Sequence, residues 1–377
     1  MTDARAIFEQ NAGVFGDIYE FVSQDDVGGL AKIFDEHPDF LNVPVYGGAG
    51  GGLNLMHRAA AQGRLNACRY LLDMGVSVDV CDDNFLTPLV GAASAGHLST
   101  VQFLLKHGAS VNGHGCGVTT PLIEASMNGH RDVVVFLVEH DANLDRLQRK
   151  FNQTALDAAL VYKQEAVVQA LQRVGARRSV EAIDLAEERG SGILEHIYHK
   201  VGPILIDRKT VAVGQAPVES RAALINEDKS SKLLFTIGLF EFSPRLELMF
   251  CVESDWPLAP ECAECEPRYQ FPGAIFEWIC ARMDAGTVFA EGDILTPEGI
   301  GGSQIVWPEE IDALLFSDYS FDHDYQEGEG GDEDSVKLLL LTAIKLPKSK
   351  KLSADKVGDL VRKTRNLPWK KVRLPLS

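Results

Sequence analysis

A pattern that recurs about every 33 residues is the feature of this sequence that most limits its possible folds. The stretch Thr87–Leu105 reads as two short helices separated by Gly96, with apolar residues at helical spacing. A step of 33 residues back to Asn54 or forward to Thr120 finds the same order of residue types, and 34 more residues reach Thr154. A fixed period of this length predicts a stack of helical hairpins, since each hairpin can bury its apolar face only against its neighbours.

The repeated positions resemble the ankyrin repeat. The residues that carry the resemblance are Thr87-Pro88-Leu89 with Gly96-His97, and Thr120-Pro121-Leu122 with Gly129-His130. The resemblance implies an α-solenoid over residues 1–178, with about five repeats that include a degenerate amino-terminal cap at Ile18–Leu41. Asn54 stands in place of threonine in the first full copy, and Asp141 stands where other copies have a glycine suited to positive φ.

Positions that differ between the copies are candidates for partner binding, because the constant positions are needed for stacking. The candidates at the hairpin tips are Asp83, Phe85, Cys116, Val118, Lys150 and Phe151, and those on the inner helices are Arg58 and Gln62. We expect Phe85 and Phe151 to be exposed anchors, although each could instead fold back on its own hairpin. The histidines at fixed repeat positions are expected to be structural.

Beyond residue 178 the 33-residue period is lost. Apolar runs at 232–239 and 246–252 are typical of strands, and Phe271–Met283 is typical of an amphipathic helix. These features predict a separate α+β domain with a mixed sheet over residues 205–377. A helical linker over residues 179–204, with Gly190-Ser191-Gly192 inside it, would join the two parts.

Five short motifs in this second region, in this order, resemble the Suppressor of fused family. They are Glu247-Leu248-Met249-Phe250, Asp255-Trp256-Pro257-Leu258, Ile275-Phe276-Glu277-Trp278-Ile279 followed by Cys280-Ala281-Arg282, Gly292-Asp293-Ile294-Leu295 and Ala313-Leu314-Leu315-Phe316. The resemblance covers residues 205–375 and implies binding rather than catalysis. On physical grounds, Asp255 is expected to cap a turn, and Trp256 is expected to be buried beside the helix.

The charge of the chain is unevenly placed. The formal net charge is −18, yet residues 283–336 hold 15 acidic and no basic residues, whereas residues 337–377 hold 12 basic and 2 acidic ones. An acidic surface disfavours nucleic acid and anionic membranes and speeds encounter with basic partners. No stretch approaches the length of an apolar membrane span, so we expect a cytoplasmic protein.

The acidic segment 318–334 has two interpretations. It could be a solvated loop. It could also imitate the charge of a nucleic acid, with Asp318, Asp322, Asp324 and Glu327 as charges and Tyr319 as contact area. The basic tail that follows could neutralise the segment internally, which would weaken the second interpretation.

Two further motifs could bind cofactors, but other interpretations are favoured. Cys262 and Cys265 form a single closely spaced pair without a second pair or nearby histidines, so free thiols are favoured over zinc. The glycine run 47–52 precedes a helix, as in a phosphate-binding turn, but its register favours a repeat fingertip. We therefore predict no metal and no cofactor.

The two resemblances together imply an interaction protein. Ankyrin arrays and bacterial Suppressor of fused-like proteins resemble immunity proteins that bind and neutralise polymorphic toxins. The implied partner is a basic toxin domain, bound by a monomer of this chain. The alternative is a scaffold or regulator that sequesters a cellular client protein. We predict no enzymatic activity, because no nucleophile, base and orienting group can be assembled from local motifs.

Overall fold

A computed structural model describes most of the chain. The described residues are 4–44, 53–180, 189–213, 217–258, 267–301, 303–319, 336–347, 352–365 and 367–375. The chain divides into two compact units, Met1–Ser179, called unit 1, and Val180–Ser377, called unit 2.

Unit 1 is built from short helices. They are α1 (Ala4–Gln10), α2 (Ala12–Gln24), α3 (Val27–Glu36), α4 (Leu55–Ala61), α5 (Leu65–Asp73), α6 (Pro88–Ser94), α7 (Leu98–Lys106), α8 (Pro121–Met127), α9 (Arg131–Glu139), α10 (Ala155–Val161) and α11 (Glu165–Arg173). Inner helices pack in series, α4 on α6, α6 on α8 and α8 on α10. Their small buried residues, such as Ala59, Ala92 and Ala125, permit this close approach. One continuous apolar core extends from Phe15 to Ala176.

The inner helices α4, α8 and α10 begin at side-chain caps, whereas Thr87 before α6 makes no such bond. The Thr120 hydroxyl accepts the Ile123 N–H at 3.2 Å, and Thr154 forms a capping box with Asp157. In the first full copy the Asn54 side chain accepts the Met56 N–H at 3.0 Å. Asparagine therefore caps α4 at the position that threonine occupies in other copies.

The turn inside each hairpin depends on a residue with positive φ. Gly63, Gly96 and Gly129 have φ between 69° and 79°, and a Cβ at any of them would overlap the side chain of the next repeat. At Gly96 the covering side chain is the ring of His130. Asp141 belongs to a different turn, the one after the second helix of its hairpin, where other copies have Gly75 and Gly108; its φ of 62° shows that this turn keeps a positive φ with a less suited residue.

Unit 2 contains a seven-stranded sheet among its described residues. The elements are α12 (Ser191–Lys200), β1 (Ile204–Val213), β2 (Pro217–Leu224), β3 (Ser231–Ile237), β4 (Leu246–Glu253), α13 (Phe271–Asp284), β5 (Ile294–Leu295), β6 (Ala313–Asp318), β7 (Lys337–Ile344), α14 (Ala354–Arg365) and α15 (Trp369–Val372). The strand order is β1-β2-β3-β4-β7-β6-β5. Only the β4–β7 pair is parallel among these neighbours, so the sheet is mixed.

Helices cover both faces of this sheet. Ile193 of α12 and Trp369 of α15 belong to one buried cluster with Met249 of β4. Phe250, the next residue of β4, points to the opposite face, because side chains alternate along a strand. There its ring lies 5.2 Å from that of Phe276 in α13.

The linker prediction for residues 179–204 needs correction. Helix α12 lies within that range, but Ile193, Leu194 and Ile197 are buried in the core of unit 2. This segment is therefore part of the folded unit. The glycines at positions 190 and 192 led to the linker prediction, because such residues are typical of a domain boundary.

Trp256 is buried, as predicted. It is 5% exposed, and the centre of its ring lies 4.8 Å from the centre of the Tyr269 ring in an edge-to-face arrangement. Its carbonyl oxygen accepts a hydrogen bond from Lys232 Nζ at 2.8 Å, and this lysine is itself only 1% exposed. The turn after β4 is therefore tied to β3 by a buried charge-assisted bond.

Some predictions concern residues outside the described ranges. They include the glycine run 47–52, the pair Cys262 and Cys265, and the acidic residues Asp322, Asp324 and Glu327. Within the described ranges, no cluster of three or more histidine, cysteine or acidic side chains could hold a metal. The helices in the same ranges include none that is long and apolar enough to cross a membrane.

Candidate protein-binding site

The inner helices of unit 1 line a groove of about 400 Å³, which we call the inner groove. It lies along α4, α6 and α8. The lining residues that matter below are His57, Arg58, Gln62, Thr87, Thr119 and Glu124. Arg58 and Gln62 were predicted from sequence to face a partner, and the structure brings them together here.

Arg58 lies over an aromatic ring. Its guanidinium carbon lies 4.8 Å from the centre of the Tyr19 ring. Burial raises the pKa of Tyr19 to about 12, although the charge of Arg58 opposes this, so the phenol stays neutral. A guanidinium over an aromatic ring can still donate its N–H groups to a carboxylate.

Several buried polar atoms around the inner groove have no hydrogen-bond partner in the described structure. They are His57 Nδ1, Arg58 Nε, Gln62 Oε1, Thr87 Oγ1 and Thr119 Oγ1. Buried polar atoms in folded proteins are nearly always paired, and an unpaired one costs about 1–3 kcal/mol. The inner groove therefore holds unused hydrogen-bonding capacity.

A carboxylate is fixed in the same groove. Ser94 Oγ donates to Glu124 Oε2 at 3.1 Å, and Asn128 Nδ2 donates to Ser94 Oγ at 3.2 Å. These bonds link α6 to α8 and hold the carboxylate in one position. The inner groove thus presents a guanidinium and a carboxylate, each held by its neighbours.

His57 has a structural part in the inner groove. Its Nε2 lies 2.8 Å from the Leu86 carbonyl oxygen, and the residue is only 6% exposed. Burial lowers the pKa of His57, which keeps the ring neutral near pH 7 with Nε2–H as donor. His130, at a different repeat position before α9, also links two repeats, with Nε2 3.0 Å from the Ser94 carbonyl oxygen.

The hairpin tips agree only partly with the sequence prediction. Phe151 is 55% exposed, and Lys150 Nζ lies 5.2 Å from the centre of its ring. Asp83 is exposed as well. Phe85 is not the exposed anchor that we expected, because it is half-buried and stacks on His114 with ring centres 5.3 Å apart.

The prediction that Cys116 binds a partner is wrong. Its side chain is fully buried, so its variation between copies reflects packing within the tip. Val118 is half-buried, and its carbonyl oxygen accepts the Arg149 N–H at 3.0 Å. Thr87 and Thr119 were not predicted as binding residues, because a threonine beside the start of a helix is ordinarily interpreted as a helix cap.

Tyr319 also differs from its prediction as contact area for a partner. Its hydroxyl donates to the Leu367 carbonyl oxygen at 3.2 Å, and its ring lies 4.8 Å from that of Trp369. Burial raises the pKa of Tyr319 to about 12. The N–H of neighbouring Asp318 donates to Glu291 Oε1 at 3.0 Å, which fixes the backbone at the end of β6.

Comparison with known proteins identifies the repeats of unit 1. A sequence model described as "Ankyrin repeats (many copies)" matches residues 56–105 and 89–138. The solved structure "Crystal structure of human ASB11 ankyrin repeat domain" is 24% identical, with 42% of this chain and 69% of that chain covered and a TM-score of 0.36. A search of curated protein sequences gave no match. The amino-terminal region of this chain thus contains ankyrin repeats, which indicate a protein–protein interaction module.

Proposed function

We propose that this protein binds a protein partner in the inner groove, with a carboxylate of the partner on Arg58. The observation that carries the proposal is the set of buried, unpartnered polar atoms around one groove, Arg58 Nε and Gln62 Oε1 among them. The guanidinium has no ion pair with any residue that the structure describes. A partner that supplied a carboxylate and backbone groups would satisfy these atoms.

Binding rather than catalysis is part of this proposal. His57 is tied to the Leu86 carbonyl oxygen and held neutral, and Glu124 is bonded to Ser94. Side chains held in this way favour recognition of a fixed shape over proton transfer. The exposed Phe151 offers an apolar anchor beyond the groove.

Arg58→Ala tests the inner groove directly. An arginine at the centre of an interface contributes about 2 kcal/mol or more, so the variant is expected to bind roughly 30-fold more weakly. Arg131→Ala is the matched control, because Arg131 is exposed at the start of α9, outside the inner groove, and pairs with neighbouring Asp132 at 3.6 Å. The measurement is calorimetric titration with a partner recovered from the native cells. Equal affinities for both variants would exclude the inner groove.

We also propose that the partner is a toxin and that this chain is its immunity protein. The support is the resemblance of residues 205–375 to the Suppressor of fused family, with Asp255-Trp256-Pro257-Leu258 as its most specific part. Acidic residues in segment 283–336 would speed encounter with a basic toxin domain, and salt would screen this effect.

Co-expression distinguishes the toxin proposal from the client-sequestering alternative. The proposal expects a toxin gene beside the gene for this chain, and cells that produce that toxin are expected to grow only when the intact chain is also present. The Arg58→Ala variant is expected to protect less well than Arg131→Ala. If the intact chain gives no protection but stably holds a non-toxic cellular protein, the scaffold alternative replaces the immunity proposal.

A further inference from the structure

Unit 2 has a groove that the proposed function does not use. It has a volume of about 740 Å³ and lies between the end of β7, helix α14 and the start of α15. Lys345, Arg362, Lys363 and Lys371 line it, together with a single carboxylate, Asp359. We call it the basic groove. It lies in the tail where basic residues outnumber acidic ones by 12 to 2, within a chain of net charge −18.

Two of these cations are already neutralised in part. Lys345 Nζ lies 2.9 Å from the Glu310 carbonyl oxygen and 3.3 Å from Asp312 Oδ1. Arg362 pairs with Asp359 one turn away on α14.

The side chains of the other two, Lys363 and Lys371, form no ion pair or hydrogen bond with any residue of the described ranges. Both residues are exposed. Among the described residues, these two side chains therefore carry positive charges without an ion-pair partner at the rim of the basic groove.

The floor of the basic groove is apolar with one polar exception. Ala343, Ile344, Leu360 and Leu367 are half-buried along it. Thr342 is only 5% exposed, and its Oγ1 has no hydrogen-bond partner in the described structure. A buried hydroxyl without a partner is uncommon, and here it belongs to a residue that lines the cavity.

We propose that the basic groove binds an acidic peptide segment with apolar side chains, contributed by a protein partner. Carboxylates would lie between Lys363 and Lys371, apolar side chains would cover Leu360 and Ile344, and a polar group would bond Thr342 Oγ1. A volume of about 740 Å³ lies within the range of about 300–1,000 Å³ of specific ligand sites.

Nucleic acid fits the basic groove less well. Its described lining residues include no aromatic ring on which a base could stack. The net charge of −18 also repels a long polyanion at distance, whereas a short acidic segment meets mainly the local field. This inference does not depend on the inner groove or on the identity of its partner.

Fluorescence anisotropy on the intact chain tests the proposal. The probe is a short fluorescein-labelled peptide of glutamate and leucine residues, and the comparison peptide has glutamine in place of glutamate. We expect the acidic probe to bind and the glutamine peptide to bind at least roughly tenfold more weakly, since its charge is absent. The Lys371→Glu variant is expected to lose about tenfold in affinity for the acidic probe.

Two matched controls make the test specific. Lys370 is an exposed neighbour on α15 that does not line the groove, so Lys370→Glu should change affinity less than about twofold. Thr342→Val should weaken binding by roughly five- to tenfold through a lost hydrogen bond. Ser317→Ala also removes a buried hydroxyl without a partner from the same sheet, but outside the groove, and should leave binding unchanged.

Three outcomes would overturn the proposal. They are failure of the acidic probe to bind the intact chain, equal losses in Lys370→Glu and Lys371→Glu, and displacement of the probe by a short single-stranded oligonucleotide with higher affinity than the peptide. Circular dichroism of each variant would confirm that the fold is retained.

Discussion

Unit 1 and unit 2 stabilise their buried polar side chains in different ways. In unit 1 the same contact recurs, since His130 reaches the Ser94 carbonyl oxygen and Gln164 Nε2 donates to the Met127 carbonyl oxygen at 3.1 Å. In unit 2 each contact occurs once, as with Lys232 on the Trp256 carbonyl oxygen. The free energy of unfolding of a repeat array is approximately a sum of many similar local contributions, whereas that of a single sheet depends on contacts that each occur once. We therefore expect a destabilising substitution in unit 1 to affect mainly its own repeat and the neighbouring repeats, and one in unit 2 to destabilise the whole sheet.

Tryptophan fluorescence can follow one of the two units alone. The chain has four tryptophans, Trp256, Trp278, Trp307 and Trp369, and all belong to unit 2. The far-ultraviolet helix signal reports mainly on unit 1, where most of the described helices lie. The two signals together separate the unfolding of the units.

The largest effect is expected from Trp256→Ala. Loss of a buried tryptophan leaves a cavity that costs about 3–5 kcal/mol, so unit 2 should unfold at much lower denaturant concentration. The helix signal of unit 1 should keep its midpoint. Trp278→Ala is the control, since Trp278 is only half-buried and should cost less. Equal shifts of both signals with Trp256→Ala would show that the units do not unfold independently.

A smaller, pH-dependent effect is expected from Glu247. The residue is fully buried, and burial raises its pKa from the ordinary 4.5 to about 7. Its carboxylate accepts hydrogen bonds from Thr236 Oγ1, from the Gly238 N–H at 2.7 Å and from the Phe240 N–H at 3.1 Å, which oppose the rise without cancelling it.

The sign of the pH dependence follows from this raised pKa. The contribution of Glu247 to the stability of unit 2 is complete below about pH 4.5 and is lost as the pH rises through about 7. The loss should be on the order of 3 kcal/mol. Glu247→Gln should remove this slope from fluorescence-monitored unfolding between pH 4.5 and 7. Exposed Glu277→Gln should retain it, and an unchanged slope in Glu247→Gln would contradict the assignment.

The smallest effect is expected inside a repeat of unit 1. Gly96 has φ 75°, and a Cβ there would overlap the ring of His130. Gly96→Ala should cost about 1–3 kcal/mol for the backbone conformation, with a further cost for the displaced ring. Gly108→Ala is the matched control, because Gly108 has φ 91° but no atom within 4 Å of the added Cβ.

The difference in free energy of unfolding between the two glycine variants measures the cost of displacing the His130 ring, which lies between repeats. Both should lower the midpoint of the helix signal and leave tryptophan fluorescence unchanged. If Gly108→Ala lowered the free energy of unfolding as much as Gly96→Ala, the overlap with the His130 ring would add no cost.

The sequence by itself determined the repeats of unit 1. Residues that form one hairpin are close in the chain, and the 33-residue spacing repeats their caps, turns and buried small residues. Even the departures were informative, since Asn54 caps α4 and Asp141 adopts the positive φ of the glycines that it replaces. Burial of Trp256 after β4 was also predictable from its local motif.

Only the tertiary structure decided the arrangement of unit 2 and the details of both grooves. The parallel pairing of β4 with β7 joins strands about 90 residues apart in the sequence, and nothing local specifies it. Burial of Cys116 and the stacking of Phe85 on His114 depend on the neighbouring hairpin. Thr87 and Thr342 could not be recognised as unpartnered from sequence. A hydrogen bond is present or absent according to the positions of groups that the fold brings together, and a local pattern does not contain those positions.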